Sequence, residues 1–196
     1  MPIRPTLEEI IGDLIAEHAD LDAVVAALPG SDWDSATPAA GWSVRDTISH
    51  LAFFDETATQ SMTAPDAFRV GLEQVWADPE GFIQTAVARG RAMTTGEVLL
   101  WWRNARGDLV AAFRALDPEA RMPWFGPDMG AVSFCTARLM EPTSRVTRVT
   151  RSPVLAPSTR LRGSRRIVST TYSRIEARRF WPNRVVSSAS ACVICE

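Results

Sequence analysis

The chain has 196 residues, room for one ordinary domain with a real core, or for a domain and a tail. No run of apolar residues is long enough to span a membrane, no apolar leader precedes the early acids Glu8 and Glu9, and three cysteines are too few for a disulfide framework; a cytoplasmic protein is expected. The net charge of −2 hides two unlike segments: residues 1–141 carry 10 Arg and 21 acids, whereas residues 142–196 carry 11 Arg and 2 acids.

The first helix is announced by Thr6-Leu7-Glu8-Glu9, a capping box in which hydroxyl and carboxylate satisfy orphan N–H groups reciprocally. Leu7, Ile11, Leu14, His18, Leu21, Val25 and Leu28 then recur at spacings of four and three, one apolar stripe closed by Pro29-Gly30. His18 sits in the middle of that stripe and reads as a core histidine, with metal ligation as its alternative. A Ser-, Asp-, Pro- and Gly-rich loop leads to Ser43, which caps a second helix with Asp46 at its positive end. Val44, Ile48, Leu51 and Ala58 are its stripe, and His50 lies in its first half.

Residues 61–93 are less regular, with short helices expected around Pro65-Asp66 and Pro79-Glu80. Thr94-Thr95-Gly96-Glu97 opens another long helix with the stripe Val98, Trp102, Ala105, Leu109, Phe113 and Leu116, ended by Asp117-Pro118. Met122 to Asp128 is a loop holding Trp124 and Phe125, and a last helix is expected from Gly130 to Glu141. No β-alternation precedes residue 142. Four long amphipathic helices with an irregular connector predict an all-α, four-helix bundle. Trp33, Trp42, Trp76, Trp101, Trp102, Phe53 and Phe54 are expected to pack that bundle rather than line a substrate box.

After Glu141 the text loses its helical period, and Arg, Ser, Thr, Val and Pro dominate. An irregular, poorly ordered tail is expected over 142–196. Cys192 and Cys195 have metal-clip spacing but lack a second pair. The tail's arginines lack the interleaved aromatics of a nucleic-acid arm, so a solvated tail is the better reading.

Gly41-Trp42-Ser43-Val44-Arg45-Asp46, then His50-Leu51-Ala52, and later Ala137-Arg138-Leu139-Met140-Glu141 together resemble the mycothiol-dependent maleylpyruvate isomerase family over about residues 6–141. The resemblance implies a DinB-like four-helix bundle that binds a divalent metal, zinc above all. It further implies chemistry in which the thiolate of mycothiol, a low-molecular-weight thiol, attacks a small electrophile. His50 matches the family's first metal ligand and Glu141 its second. The third, a His four residues after the Glu, is here Arg145, which stays protonated and has no lone pair to donate. Asp46, one turn before His50, is a candidate substitute ligand or a partner fixing the imidazole. Pro142 is expected to end the helix at Glu141. The break in composition at that point suggests a reading-frame change near codon 142, after which another frame should restore a His four residues beyond Glu141. The alternative to a thiol-using metalloenzyme is a truncated, non-catalytic bundle that binds metal weakly or not at all.

Overall fold

The computed structural model describes residues 5–150, with side chains over 5–141. Six helices follow in order: α1 (Leu7–Ala26), α2 (Val44–Thr63), α3 (Pro65–Ala77), α4 (Pro79–Arg91), α5 (Thr95–Ala115) and α6 (Ala131–Thr150), with a 3-10 turn at Gly30–Asp34. This is the expected all-α bundle. Capping boxes start α1, α2 and α5: Thr6 with Glu9, Ser43 with Asp46, and Thr94 with Glu97. The connector between α2 and α5 is more regular than its sequence period suggested. Prolines at the first position of α3 and α4 set the helical φ where no N–H is needed, and each helix runs 13 residues.

The four long helices form the bundle. α1 packs on α5 and α6, while α2 packs on α5 and α6 and is crossed by α3 and α4. Because α2 has neighbours on most sides, 13 of its 20 residues are buried, including Asp46, Thr47, Ser49, His50, Asp55, Thr57 and Ser61. A helix enclosed in this way buries polar residues that a single stripe would have left outside. α4 comes closest at Gly90, where an added Cβ would lie 1.7 Å from Ser49 Oγ. Gly90→Ala is therefore expected to lower stability by about 1–3 kcal/mol through overpacking. Adding Ser49→Gly should recover most of the loss in thermal unfolding; no recovery would place the cost elsewhere.

Three apolar clusters fill the interior. One gathers Leu21, Val25, Trp33, Ile48, Leu51, Val98 and Trp102. A second gathers Ile11, Leu14, Ala58, Leu109, Phe113, Phe134 and Leu139. The third joins Phe54, Phe68, Ile83 and Phe125 beneath α3 and α4. The expected stripes run through the first two, whereas the third is built from Phe54, from α3 and α4, and from the loop that carries Phe125. Trp76 is the exception among the tryptophans expected to pack, for it is half exposed on α3.

Two further findings differ from the sequence reading. Arg121–Met122 pairs antiparallel with Met129–Gly130, a ladder too short to leave any alternation in the sequence. It closes the loop that carries Trp124 and Phe125 into the third cluster, and Ser61 Oγ donates to the carbonyl of Pro123 to tie that loop to α2. The last helix, moreover, does not stop at Glu141 but continues past Pro142 to Thr150. Proline removes one hydrogen bond and costs about 3 kcal/mol. That is a local penalty, which turns already formed on either side can absorb. Positions 141 and 145 thus share one helix, a turn apart. The side chain of Arg145, and Cys192, Cys195 and the rest of the tail from residue 151, lie outside the described residues. Among the described residues no helix is long and apolar enough to cross a membrane.

Candidate metal centre

His50 is fully buried on α2. Its ring lies edge-on to Trp42, 5.3 Å between centroids, and tilted against Phe54 at 4.4 Å. Gly41, at φ 79°, makes the turn that lets Trp42 fold back to this position; the left-handed conformation there favours glycine. Across the bundle, His50 Nε2 stands 3.6 Å from Oε2 of Glu141 on α6. The side chain of Glu141 keeps 27% of its surface exposed, so the pair sits where the core meets solvent.

Two further residues complete the cluster, and the sequence reading missed both. Arg138, one turn before Glu141, places Nη1 3.3 Å from the same Glu141 Oε2. Its Nη2 donates to Asp55 Oδ1 at 2.7 Å, and both side chains of that pair are only 2% exposed. Burial works against the Arg138 charge, but the carboxylates of Glu141 and Asp55 outweigh it and hold the guanidinium protonated. Burial pushes the Asp55 carboxyl up to about 6, against the pull of Arg138, so it is ionised at neutral pH. A signal was present: Asp55 falls between Leu51 and Ala58 at stripe spacing, and Arg138 follows Phe134 and Cys135 by four and three residues. A charge standing at an apolar position was the clue.

The other candidates lie apart in role. Asp46 accepts from the Ser43 N–H at 3.0 Å and from Arg91 Nε and Nη2 at 2.9 Å each. Burial opposes its charge, yet the hydrogen bonds from Arg91 and Ser43 bring its pKa below the ordinary value. It caps α2 and clamps it to α4. His18 is buried between the first two clusters, its ring edge-on to Trp102 at 5.9 Å. Arg106 covers Trp102 at 4.4 Å and donates through Nη1 to the His18 carbonyl at 2.8 Å. Burial, and then the charges of Arg106 and Arg138, lower the His18 pKa to about 3, so the ring is neutral at pH 7. Cys135 is no nucleophile, because burial pushes its thiol up to about 12.

Imidazole and carboxylate are donors that zinc accepts, and His50 and Glu141 supply one of each. Zinc sites want at least three protein donors, and among the described residues no three His, Cys, Asp or Glu side chains are grouped to hold a metal ion. Neither Asp46 nor His18 makes the third. The residues present therefore fit two thirds of such a site.

Comparison with known proteins agrees with the fold. The family model of the mycothiol maleylpyruvate isomerase N-terminal domain matches residues 14–144, ending where the composition turns. Uncharacterised proteins from two strains of Mycobacterium tuberculosis are 40% identical over 131 residues, covering 67% of this chain and 51% of theirs. The chain thus spans about half the length of the curated relatives it matches. Among solved structures, a mycothiol-dependent maleylpyruvate isomerase superposes with TM-score 0.61 at 12% identity, over 77% of this chain and 66% of that one. A histidine-to-alanine mutant of a mycothiol-dependent maleylpyruvate isomerase gives 0.60 at 11%, with the same coverage. At such identity the structures speak for the fold alone; the family match speaks for descent. The chain belongs to the mycothiol maleylpyruvate isomerase N-terminal domain family.

Proposed function

We propose that this chain is the metal-site bundle of a cytoplasmic, thiol-using isomerase or transferase, in which His50 and Glu141 are two ligands of a divalent ion, zinc by preference. The observation that carries the reading is the approach of Glu141 Oε2 to His50 Nε2 at 3.6 Å, from two helices, at the edge of a buried polar cluster. When bound, the metal would lower the pKa of a thiol such as mycothiol, so that thiolate is present at neutral pH to meet a small electrophile. The protein's own part is to hold the two donors, with Trp42 and Phe54 keeping water from the imidazole.

A second reading, the non-catalytic bundle, has its own observation. Position 145 carries Arg, and among the described residues no third His, Cys, Asp or Glu side chain joins His50 and Glu141 to hold an ion. One experiment separates them: zinc bound per purified chain, in the parent, in His50→Ala and in Arg145→His. Structural zinc sites are worth about 10–16 kcal/mol over four ligands, roughly 3 kcal/mol each. A third donor should therefore raise affinity on the order of a hundredfold. Weak zinc in the parent, lost in His50→Ala and strengthened in Arg145→His, is expected; no zinc in any of the three leaves the non-catalytic bundle standing. Translating the gene in the other two frames beyond codon 142 tests the reading-frame change, which a His codon four residues after Glu141 would support and its absence from both frames would overturn.

A further inference from the structure

His50 and Asp55 lie five residues apart on α2, and Arg138 and Glu141 lie three apart on α6. Three contacts close these four residues into a ring across the two helices: His50 Nε2 to Glu141 Oε2 at 3.6 Å, Glu141 Oε2 to Arg138 Nη1 at 3.3 Å, and Arg138 Nη2 to Asp55 Oδ1 at 2.7 Å. Stability does not account for the buried pair at its far side. Asp55 and Arg138 are both taken out of water yet make a single hydrogen bond to each other. Asp55 Oδ2 and Arg138 Nε have no hydrogen-bond partner among the described residues. Apolar side chains of similar volume would serve the fold as well or better.

What the pair supplies is geometry. A glutamate side chain has several rotamers open to it at the edge of a core. Arg138 Nη1 on Oε2 selects one that turns the carboxylate toward α2. The long Arg138 side chain is in turn fixed by Asp55, which belongs to the helix that carries His50. The position of Glu141 is thus referred back to α2 itself.

We propose that Asp55 and Arg138 are a positioning pair that holds the Glu141 carboxylate against His50 and so pre-forms the two-donor face of the site. The inference rests on the metal reading for its ligand, but the placement of Glu141 can be measured without metal. Supporting a ligating carboxylate in this way is worth about 10–100-fold in metal affinity where it has been removed elsewhere.

The test compares the full-length parent with Asp55→Leu/Arg138→Met, Arg138→Lys and Glu141→Gln, metal-free and at one fixed pH. The readout is the ring ¹⁵N and ¹H resonances of His50, assigned by their loss in His50→Ala. Cooperative unfolding should survive in the double variant, while the His50 ring signals move to where Glu141→Gln puts them. Lys cannot fork between two carboxylates, so Arg138→Lys should give an intermediate shift; it also serves should the double variant fail to fold. Zinc alone, titrated into the same proteins, should bind about 10–100-fold more weakly in the double variant than in the parent. His50 signals that stay at their parental positions in both Arg138 variants overturn the positioning role, whatever zinc does. Should no protein bind zinc while the His50 signals move as expected, the metal reading fails and the positioning of Glu141 stands.

Discussion

Replacing Arg138 alone with Met is expected to destabilise the bundle by about 3–5 kcal/mol, one of the largest single-residue effects in the chain. The substitution leaves Asp55 as a buried carboxylate without its guanidinium, and an uncompensated charge in that position must be either solvated by local opening or protonated. Removing Asp55 as well, as Leu, should bring stability back to within about 1–2 kcal/mol of the parent, or above it, because both desolvation costs disappear together. Urea unfolding of the two variants measures this directly. A single Arg138→Met that costs less than about 1 kcal/mol would mean that the pair is not buried as described. The effect on stability and the effect on Glu141 are separable: the double variant should regain the first and not the second.

The second large effect is a dependence on pH through His18. Its folded-state pKa of about 3 lies below the ordinary 6.5, so the fold binds the neutral ring and excludes the charged one. A group depressed in this sense contributes stability that is fully present above about pH 6.5 and is lost progressively as the pH falls toward about 3. Between pH 7 and 5 the loss is about 2 kcal/mol, from the protons that the unfolded chain takes up and the fold refuses. Asp55 works in the opposite direction over the same range, since its folded-state pKa is raised to about 6 and the unfolded chain binds that proton less readily. The difference between parent and His18→Leu isolates the histidine, because Asp55 is present in both. His18→Leu should therefore gain about 2 kcal/mol relative to the parent on going from pH 7 to 5. A difference that does not change with pH would show that His18 reaches solvent, and protonates, without unfolding.

Much of the architecture was legible because it is local. Thr6, Ser43 and Thr94 are capping residues whose partners lie three positions along, so their helices could be placed from spacing alone. The stripes of α1 and α5 likewise require only helical periodicity, and Leu14, Leu21, Val98, Trp102, Leu109 and Phe113 are all buried as those stripes require. The short strands Arg121–Met122 and Met129–Gly130 were not legible, since two residues per strand carry no period. The end of α6 was not legible for a different reason: a proline is a local signal, but whether a helix survives it depends on the turns on either side.

The site divides along the same line. By itself the sequence determined the candidates: a histidine on a capped helix, a glutamate on the last one, and an arginine four positions on where an imidazole would complete a ligand set. The histidine on its capped helix is a statement about chemical type and spacing, whereas the glutamate as its partner and the imidazole expected at position 145 are what the family resemblance implies. Only the tertiary structure decided which of them meet. It assigned Asp46 to the cap of α2 and to Arg91, set His18 beside Trp102 in the core, and brought Glu141 to His50. It also revealed Asp55 and Arg138 as the buried pair behind that contact, two charges whose stripe spacing hints at burial but names no partner. Periodicity fixes the face of a helix on which a side chain stands, whereas the rotation and register of α2 against α6, set by the packing of the whole bundle, fix what stands opposite it.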